Sequence, residues 1–181
     1  MTCYGSKELA AAFRTVRKNT IIIAEEIPEG DYGFQPAPGA RTVAETLLHV
    51  AVLPRVAKQI HFVDRLKSLE NFDFFGVRAA IHAVVEAPHT KDEILSLLRT
   101  GGEEFAGLLE TASDDFLAEV VTYPKGMEPP SKTRFEMLLA PKEHEMHHRG
   151  QLMLVERMLG ITPHLTRQME ARIAAMQAAK G

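Results

Sequence analysis

Near its C-terminal end the chain reads His144-Glu145-Met146-His147-His148-Arg149-Gly150-Gln151. His144 and His148 stand four positions apart, so on an α-helix they project from the same face and their imidazole rings can approach one ion. The apolar residues of the surrounding segment follow the helical period until Gly160, which is typical of a helix C-terminus. The sequence therefore predicts a long helix with two candidate metal ligands on one face.

A third ligand has to come from another helix, and His49 is the best candidate. It continues upstream an apolar series at helical spacing, formed by Leu53, Val56, Ile60 and Val63. Three neutral imidazoles leave coordination positions free for water, which is typical of catalytic zinc sites and not of structural ones. Zinc, nickel or iron suits such a donor set. We therefore predict His49, His144 and His148 as ligands of a divalent ion.

The neighbours of these histidines leave alternatives open. Gln151 shares the predicted face and is a candidate hydrogen-bond partner for a bound water or substrate. His147 can replace His148 sterically, but helical phase favours His148. A histidine on an apolar face is also often a hydrogen-bonded core residue, so a helical bundle without any metal is a further interpretation.

Two other metal motifs overlap the same stretch. Residues 144–148 satisfy H-E-x-x-H, in which two histidines bind zinc and the glutamate activates water in metallopeptidases. Glu145 and His148 also fit the Glu-x-x-His element of di-iron bundles. Neither motif has supporting context, because no edge strand for a peptide is predicted and the second Glu-x-x-His match, at residues 86–89, contains a proline. A zinc peptidase is the less favoured alternative.

Helical periodicity predicts an all-α bundle with four long helices and no sheet. They cover residues 6–27, about 42–66, 90–109 and about 131–159, with capping boxes at Thr42 and Thr90. Pro54 and Pro141 are predicted to bend the second and fourth helices. Gly101-Gly102 on the third helix indicates either a close helix crossing or plain tolerance of glycine there. Short extra helices are predicted within residues 71–89 and after residue 163, and residues 31–39 as a packed loop.

Composition restricts the classes of function. With 181 residues, 45% hydrophobic and 25% charged, the chain is predicted to be a single domain over residues 1–181. A net charge of −3 argues against nucleic acid as a partner. The longest apolar run is far too short to span a bilayer, the first residues do not resemble a signal peptide, and Cys3 is the single cysteine. We expect a cytoplasmic protein that acts on small molecules and contacts no membrane.

The stretch from His144 to Gln151 resembles the H-x-x-x-H-R-G-Q segment of the DinB/YfiT-like superfamily of metal-dependent enzymes. Residues 42–49 are similar to the helix that carries the family's upstream histidine, and residues 31–36 to the loop before it. The resemblance covers most of the chain. It implies a four-helix bundle of DinB type with short extra helices, a nickel or zinc ion on the three histidines, and often a homodimer. Arg149 lies in the motif without an assigned role, and we expect it to pair with Glu145.

Some members of this superfamily are thiol transferases, which join a low-molecular-weight thiol to an electrophile. We therefore predict a metal-dependent enzyme in which the ion activates a thiol, as in an S-transferase, or water, as in a hydrolase. The alternative from another class is a non-catalytic, metal-binding stress-response protein in which the ion ties two helices together. An enzyme requires an open cleft beside the ion, for which Tyr32, Phe34 and Tyr123 are candidate borders, whereas the alternative predicts a closed site.

Overall fold

The computed structural model describes residues 4–179, and most of them are helical. Cys3 lies outside the described residues. The helices are α1 Ser6–Glu26, α2 Val43–Val52, α3 Pro54–Lys58, α4 Phe74–Glu86, α5 Lys91–Glu110, α6 Asp114–Ala118, α7 Arg134–Met158 and α8 His164–Ala178. A 3₁₀ turn covers Glu29–Asp31, a π turn Gln59–Val63, and two short strands are β1 Val120–Thr122 and β2 Ser131–Thr133. The predicted all-α bundle is confirmed.

The four long helical segments pack around one main core. Helix α1 lies against α5 and α7, and α2 also contacts both α5 and α7. The central apolar side chains are buried and include Ile23, Leu47, Leu48, Ile94, Leu98 and Leu152. Their removal from water is the main favourable contribution to folding. Among residues 4–179, no helix is both long and apolar enough to cross a bilayer.

The helix starts follow the capping boxes. Thr42 Oγ1 accepts a hydrogen bond from the backbone N–H of Glu45 at 3.2 Å, and Glu45 Oε2 accepts one from the backbone N–H of Thr42 at 2.7 Å. The same reciprocal pair caps α5 at Thr90 and Glu93. These contacts satisfy backbone donors that a helix start leaves free. The Thr42 cap thereby fixes the start of the helix that carries His49.

Pro54 interrupts the second helix as predicted. Helix α2 ends at Val52 and α3 begins at Pro54, so the segment is broken and not merely bent. Because proline has no backbone N–H, the carbonyl of Val50 loses its partner four residues on. Nη2 of Arg17 in α1 donates a hydrogen bond to this carbonyl at 3.1 Å. A buried arginine therefore satisfies the acceptor that the proline leaves free.

Of the two accounts of Gly101-Gly102, close packing applies at Gly102, where a side chain of α1 lies against the glycine. A Cβ atom there would lie 2.8 Å from Cγ of Arg17, which is closer than side chains tolerate. Arg17 is 3% exposed, and its Nη1 donates to the carbonyl of Leu98 at 2.8 Å. The glycine thus makes room for the arginine that links α1, α2, α5 and α7.

The loop before α2 was predicted correctly, whereas the pair of short strands was not. Tyr32 is buried and its hydroxyl donates to the carbonyl of Ala24 at 2.7 Å, which confirms the packed loop. The prediction of no sheet is wrong in detail, because β1 and β2 form an antiparallel pair with Val121 opposite Lys132. Strands of three residues are too short to show an alternating pattern in the sequence.

Candidate metal centre

The structure brings His49 of α2 together with His144 and His148 of α7. Nε2 of His144 lies 2.8 Å from Nε2 of His49 and 3.0 Å from Nε2 of His148. One ligand atom from each of the three rings lies within 4.8 Å of the other two. Nitrogens about 2.0–2.1 Å from a tetrahedral zinc ion would be about 3.3 Å apart, so small movements of the rings would accommodate one ion.

Burial keeps the three rings in the neutral form that binds metals. It lowers the pKa of His49 to about 4, with further contributions from the charge of Arg41 and from the other two imidazoles. Burial also lowers the pKa of His144 and of His148, and at His148 a hydrogen bond to Gln151 partly opposes this effect. Near neutral pH each ring therefore offers a lone pair without first losing a proton.

Gln151 determines which nitrogen of His148 faces the other two histidines. Its Oε1 lies 2.7 Å from Nδ1 of His148. An amide oxygen only accepts hydrogen bonds, so Nδ1 carries the proton and Nε2 keeps its lone pair. The amide nitrogen of Gln151 lies 3.2 Å from Nε2 of His147. Gln151 therefore orients the His148 ring. His147 contacts Gln151 and does not join the cluster of three histidines.

The histidines line an open cleft of about 690 Å³ between α2, α7 and α4. Its polar lining consists of Arg41, His49, Arg78, His144, His147 and His148. Its apolar lining consists of Leu53, Val56, Phe74, Val77 and Ile81. A second cavity of about 620 Å³ lies beside it and is bordered by His148, Gln151 and Leu152. The site therefore opens toward solvent at His49 and His144, whereas His148 is 5% exposed.

The aromatic residues predicted to border the cleft do not do so. Tyr32 of the loop that precedes α2 is buried in the main core, and Phe34 packs against the same core. Tyr123 packs against a separate apolar cluster that includes Ile60. That prediction is wrong because the wall of the cleft comes from α4, whose packing against α2 could not be seen in the sequence.

Glu145 does not serve the site as the H-E-x-x-H interpretation requires. It is 2% exposed, and both carboxylate oxygens accept hydrogen bonds from Arg17, at 2.9 Å to Nε and 2.9 Å to Nη2. The expected pair between Arg149 and Glu145 is also wrong, because Arg17 occupies the carboxylate. Sequence reasoning missed Arg17, although it follows Phe13 by four positions and so shares the apolar face of α1.

Comparisons with known proteins give the family of the chain and agree with its fold. The model of the DinB superfamily matches residues 12–152. YfiT from Bacillus subtilis, described as a probable metal-dependent hydrolase with an unusual four-helix bundle topology, superposes with a TM-score of 0.68 at 15% identity over 90% of this chain and 91% of that one. A DinB-like protein of the same organism, YjoA, gives 0.62 at 20% identity over 86% and 94%. These two likenesses concern the fold. No curated protein sequence matches the chain.

Proposed function

This chain belongs to the DinB superfamily, and on that premise we propose that it is a hydrolase of small molecules that depends on a divalent metal ion bound by His49, His144 and His148. The observation that carries the proposal is the convergence of three Nε2 atoms at the wall of an open cleft. The description of YfiT as a probable metal-dependent hydrolase points in the same direction.

The donor set fits zinc or nickel, because three imidazole nitrogens are ligands that both metals accept. When bound, such an ion keeps its full charge and lowers the pKa of a water ligand toward about 7. The residues of the chain prepare the site. Gln151 holds the His148 ring through Nδ1, and the apolar side chains of the cleft give a substrate a partly dry surface.

The open cleft favours catalysis over a purely structural ion. A metal that only tied α2 to α7 would be expected in a site closed to solvent, whereas here the three ligands border a cavity large enough for a small molecule. Leu48 of α2 and Leu152 of α7 belong to the same buried cluster, so apolar contacts also join the two helices. A zinc peptidase is not supported, because Glu145 is held by Arg17.

Transfer of a thiol is the second candidate. The observation that favours it is the neighbouring cavity of about 620 Å³, which shares Arg41, His147 and His148 with the main cleft. Two adjoining cavities that both border the His148 imidazole can hold a thiol and an electrophile side by side. In this variant of the proposal the same three histidines hold the ion.

The test is a comparison of metal-stripped and zinc- or nickel-loaded protein on a panel of aryl esters and on small electrophiles with and without added thiols. We expect ester hydrolysis that requires the metal and is lost in His144→Ala but kept in His89→Ala, whose ring lies at the surface away from the cleft. Turnover only with thiols present would favour the transferase. No metal-dependent turnover in either assay would contradict the proposed enzyme.

A further inference from the structure

We propose that the cleft beside the three histidines takes small organic anions with an apolar body, and that Arg41 and Arg78 bind the anionic group. This inference rests on the proposed function, because it names the substrate class of the same site. It concerns two residues that neither the metal-ligand motif nor the capping pattern singles out.

The two arginines reach the cleft from different elements. Arg41 directly precedes the N-cap residue of α2, and Arg78 lies on α4. Both border the main cleft together with His49, and both also border an adjoining cavity of about 350 Å³. Arg41 lines the main cleft together with all three histidines, His49, His144 and His148.

Neither guanidinium is neutralised within residues 4–179. Arg14, Arg17, Arg99, Arg134 and Arg167 all form ion pairs with glutamates. Arg41 and Arg78 have no such pair and no side-chain hydrogen bond among the described residues. An uncompensated pair of positive charges in one cavity attracts an anion and repels a cation.

The two acidic side chains that border the smaller cavity each have another hydrogen-bond partner. Glu45 and Glu86 border the smaller cavity. Glu45 Oε2 accepts the backbone N–H of Thr42 at 2.7 Å, and Glu86 pairs with His82 at 3.0 Å. Among the described residues, no aspartate or glutamate lines the main cleft. A divalent ion on three neutral imidazoles would add further positive charge there.

Helix α4 supplies an apolar wall for the rest of the ligand. Phe74, Val77, Arg78 and Ile81 follow the spacing of one helical face, and all four line the cleft. Phe75, outside this face, is 84% exposed. The planar fork of a guanidinium matches a carboxylate or a phosphate group through two parallel hydrogen bonds. The arrangement therefore suits a molecule with one anionic end and an apolar remainder.

The experiment measures binding of three probes to the full-length protein by isothermal titration calorimetry: 4-phenylbutyrate, phenylphosphonate and the uncharged 4-phenylbutyramide. Each is titrated into metal-free and zinc-loaded protein, and into the variants Arg41→Gln, Arg78→Gln and Arg172→Gln. Arg172 is an exposed arginine on α8, so its variant changes the net charge equally without touching the cleft. All three substituted side chains are exposed, so the variants are expected to fold.

We expect at least one anion to bind the metal-free protein and to bind it more tightly than the amide. Arg41→Gln and Arg78→Gln should each weaken that binding by about tenfold or more, because a hydrogen bond to a charged partner is lost. Arg172→Gln should leave it unchanged. The carboxylate and phosphonate arms show which anionic group the arginines prefer.

Anion binding that is the same in Arg41→Gln, Arg78→Gln and Arg172→Gln would overturn the inference, and so would binding that occurs only through the zinc ion. This failure is distinct from failure of the proposed function. A protein that binds anions through the arginines but retains no metal keeps the inference and loses the hydrolase. A protein that hydrolyses esters with zinc but binds anions independently of the arginines keeps the hydrolase and loses the inference.

Discussion

Arg17 of α1 holds the carboxylate of Glu145 on α7 through two hydrogen bonds of 2.9 Å, and the two side chains are 4% and 2% exposed. Glu145 directly follows a candidate metal ligand in the sequence. The ion pair therefore anchors the helix that carries two of the three histidines, and it also fixes which face of α7 points away from the cleft.

Breaking this pair is expected to destabilise the fold strongly. Arg17→Met should lower the free energy of unfolding by about 3–5 kcal/mol, because it leaves a buried carboxylate without a partner. The same change removes the donor to the carbonyl of Val50. Urea unfolding measures the loss. Arg17→Met combined with Glu145→Leu should recover part of the stability, and a single variant as stable as the wild type would show that the pair is not an anchor.

Gly102 and Gly107 offer a matched test of the α1–α5 crossing. Both lie in α5, but a Cβ at Gly102 would be 2.8 Å from Arg17, whereas one at Gly107 would meet nothing within 4 Å. Gly102→Ala should destabilise by about 1–3 kcal/mol through overpacking. Gly107→Ala should stabilise by up to about 1 kcal/mol through helix propensity. Equal thermal stability of the two variants would contradict the packing described for Arg17.

Gln151 is expected to control metal affinity without being a ligand. Gln151→Ala removes the acceptor that orients His148 and should weaken zinc binding about 10–100-fold, as measured by competition with a chromophoric chelator. Gln151→Glu keeps an acceptor at the same place and should restore most of the affinity. Leu154→Ala, an exposed position on the same helix, is the control. Unchanged affinity in Gln151→Ala would mean that the contact does not orient the ring.

Glu156 should make stability depend on pH. Its side chain is buried, neither carboxylate oxygen has a hydrogen-bond partner among the described residues, and burial together with the nearby Glu26 raises the pKa to about 7 from an ordinary 4.5. A raised carboxyl pKa means that the folded state binds the proton more tightly. Stability from this group is therefore full below pH 4.5 and is lost as the pH rises through about 7.

Glu156→Gln should remove this dependence, which amounts to up to about 3 kcal/mol between about pH 5 and about pH 8. The variant should then be more stable than the wild type above about pH 7, where the wild type carries a buried charge. Glu170→Gln, exposed on α8, is the control. The free energy of unfolding, measured at several pH values, tests this prediction. The same pH dependence in Glu156→Gln as in the wild type would contradict the role given to Glu156.

Sequence patterns predicted the parts of the fold that depend on local chemistry. The capping boxes at Thr42 and Thr90 correctly predicted where two helices begin, and Pro54 correctly predicted where the second helix is interrupted. The spacing of His144 and His148 placed both rings on one face, as the structure has them. These features depend on neighbours in the sequence, which is why they could be inferred without knowing the packing.

The features that the sequence did not predict depend on which helices pack side by side. Arg17 and Glu145 are distant in the sequence, so nothing local indicated their pair. Arg41 and Arg78 look like ordinary surface residues until α4 is placed beside α2. Periodicity also could not reveal strands as short as β1 and β2. The homodimer and the cytoplasmic location stay predictions.

The sharpest test of the three-histidine site is the number of zinc ions that each chain retains after loading and gel filtration, determined by elemental analysis. We expect one ion per chain in the wild type and in His89→Ala, and far less in His49→Ala and His148→Ala, since each removes one of three converging nitrogens. A wild-type protein without a stoichiometric divalent metal, or a His49→Ala variant that retains as much as the wild type, would show that α2 and α7 do not share an ion.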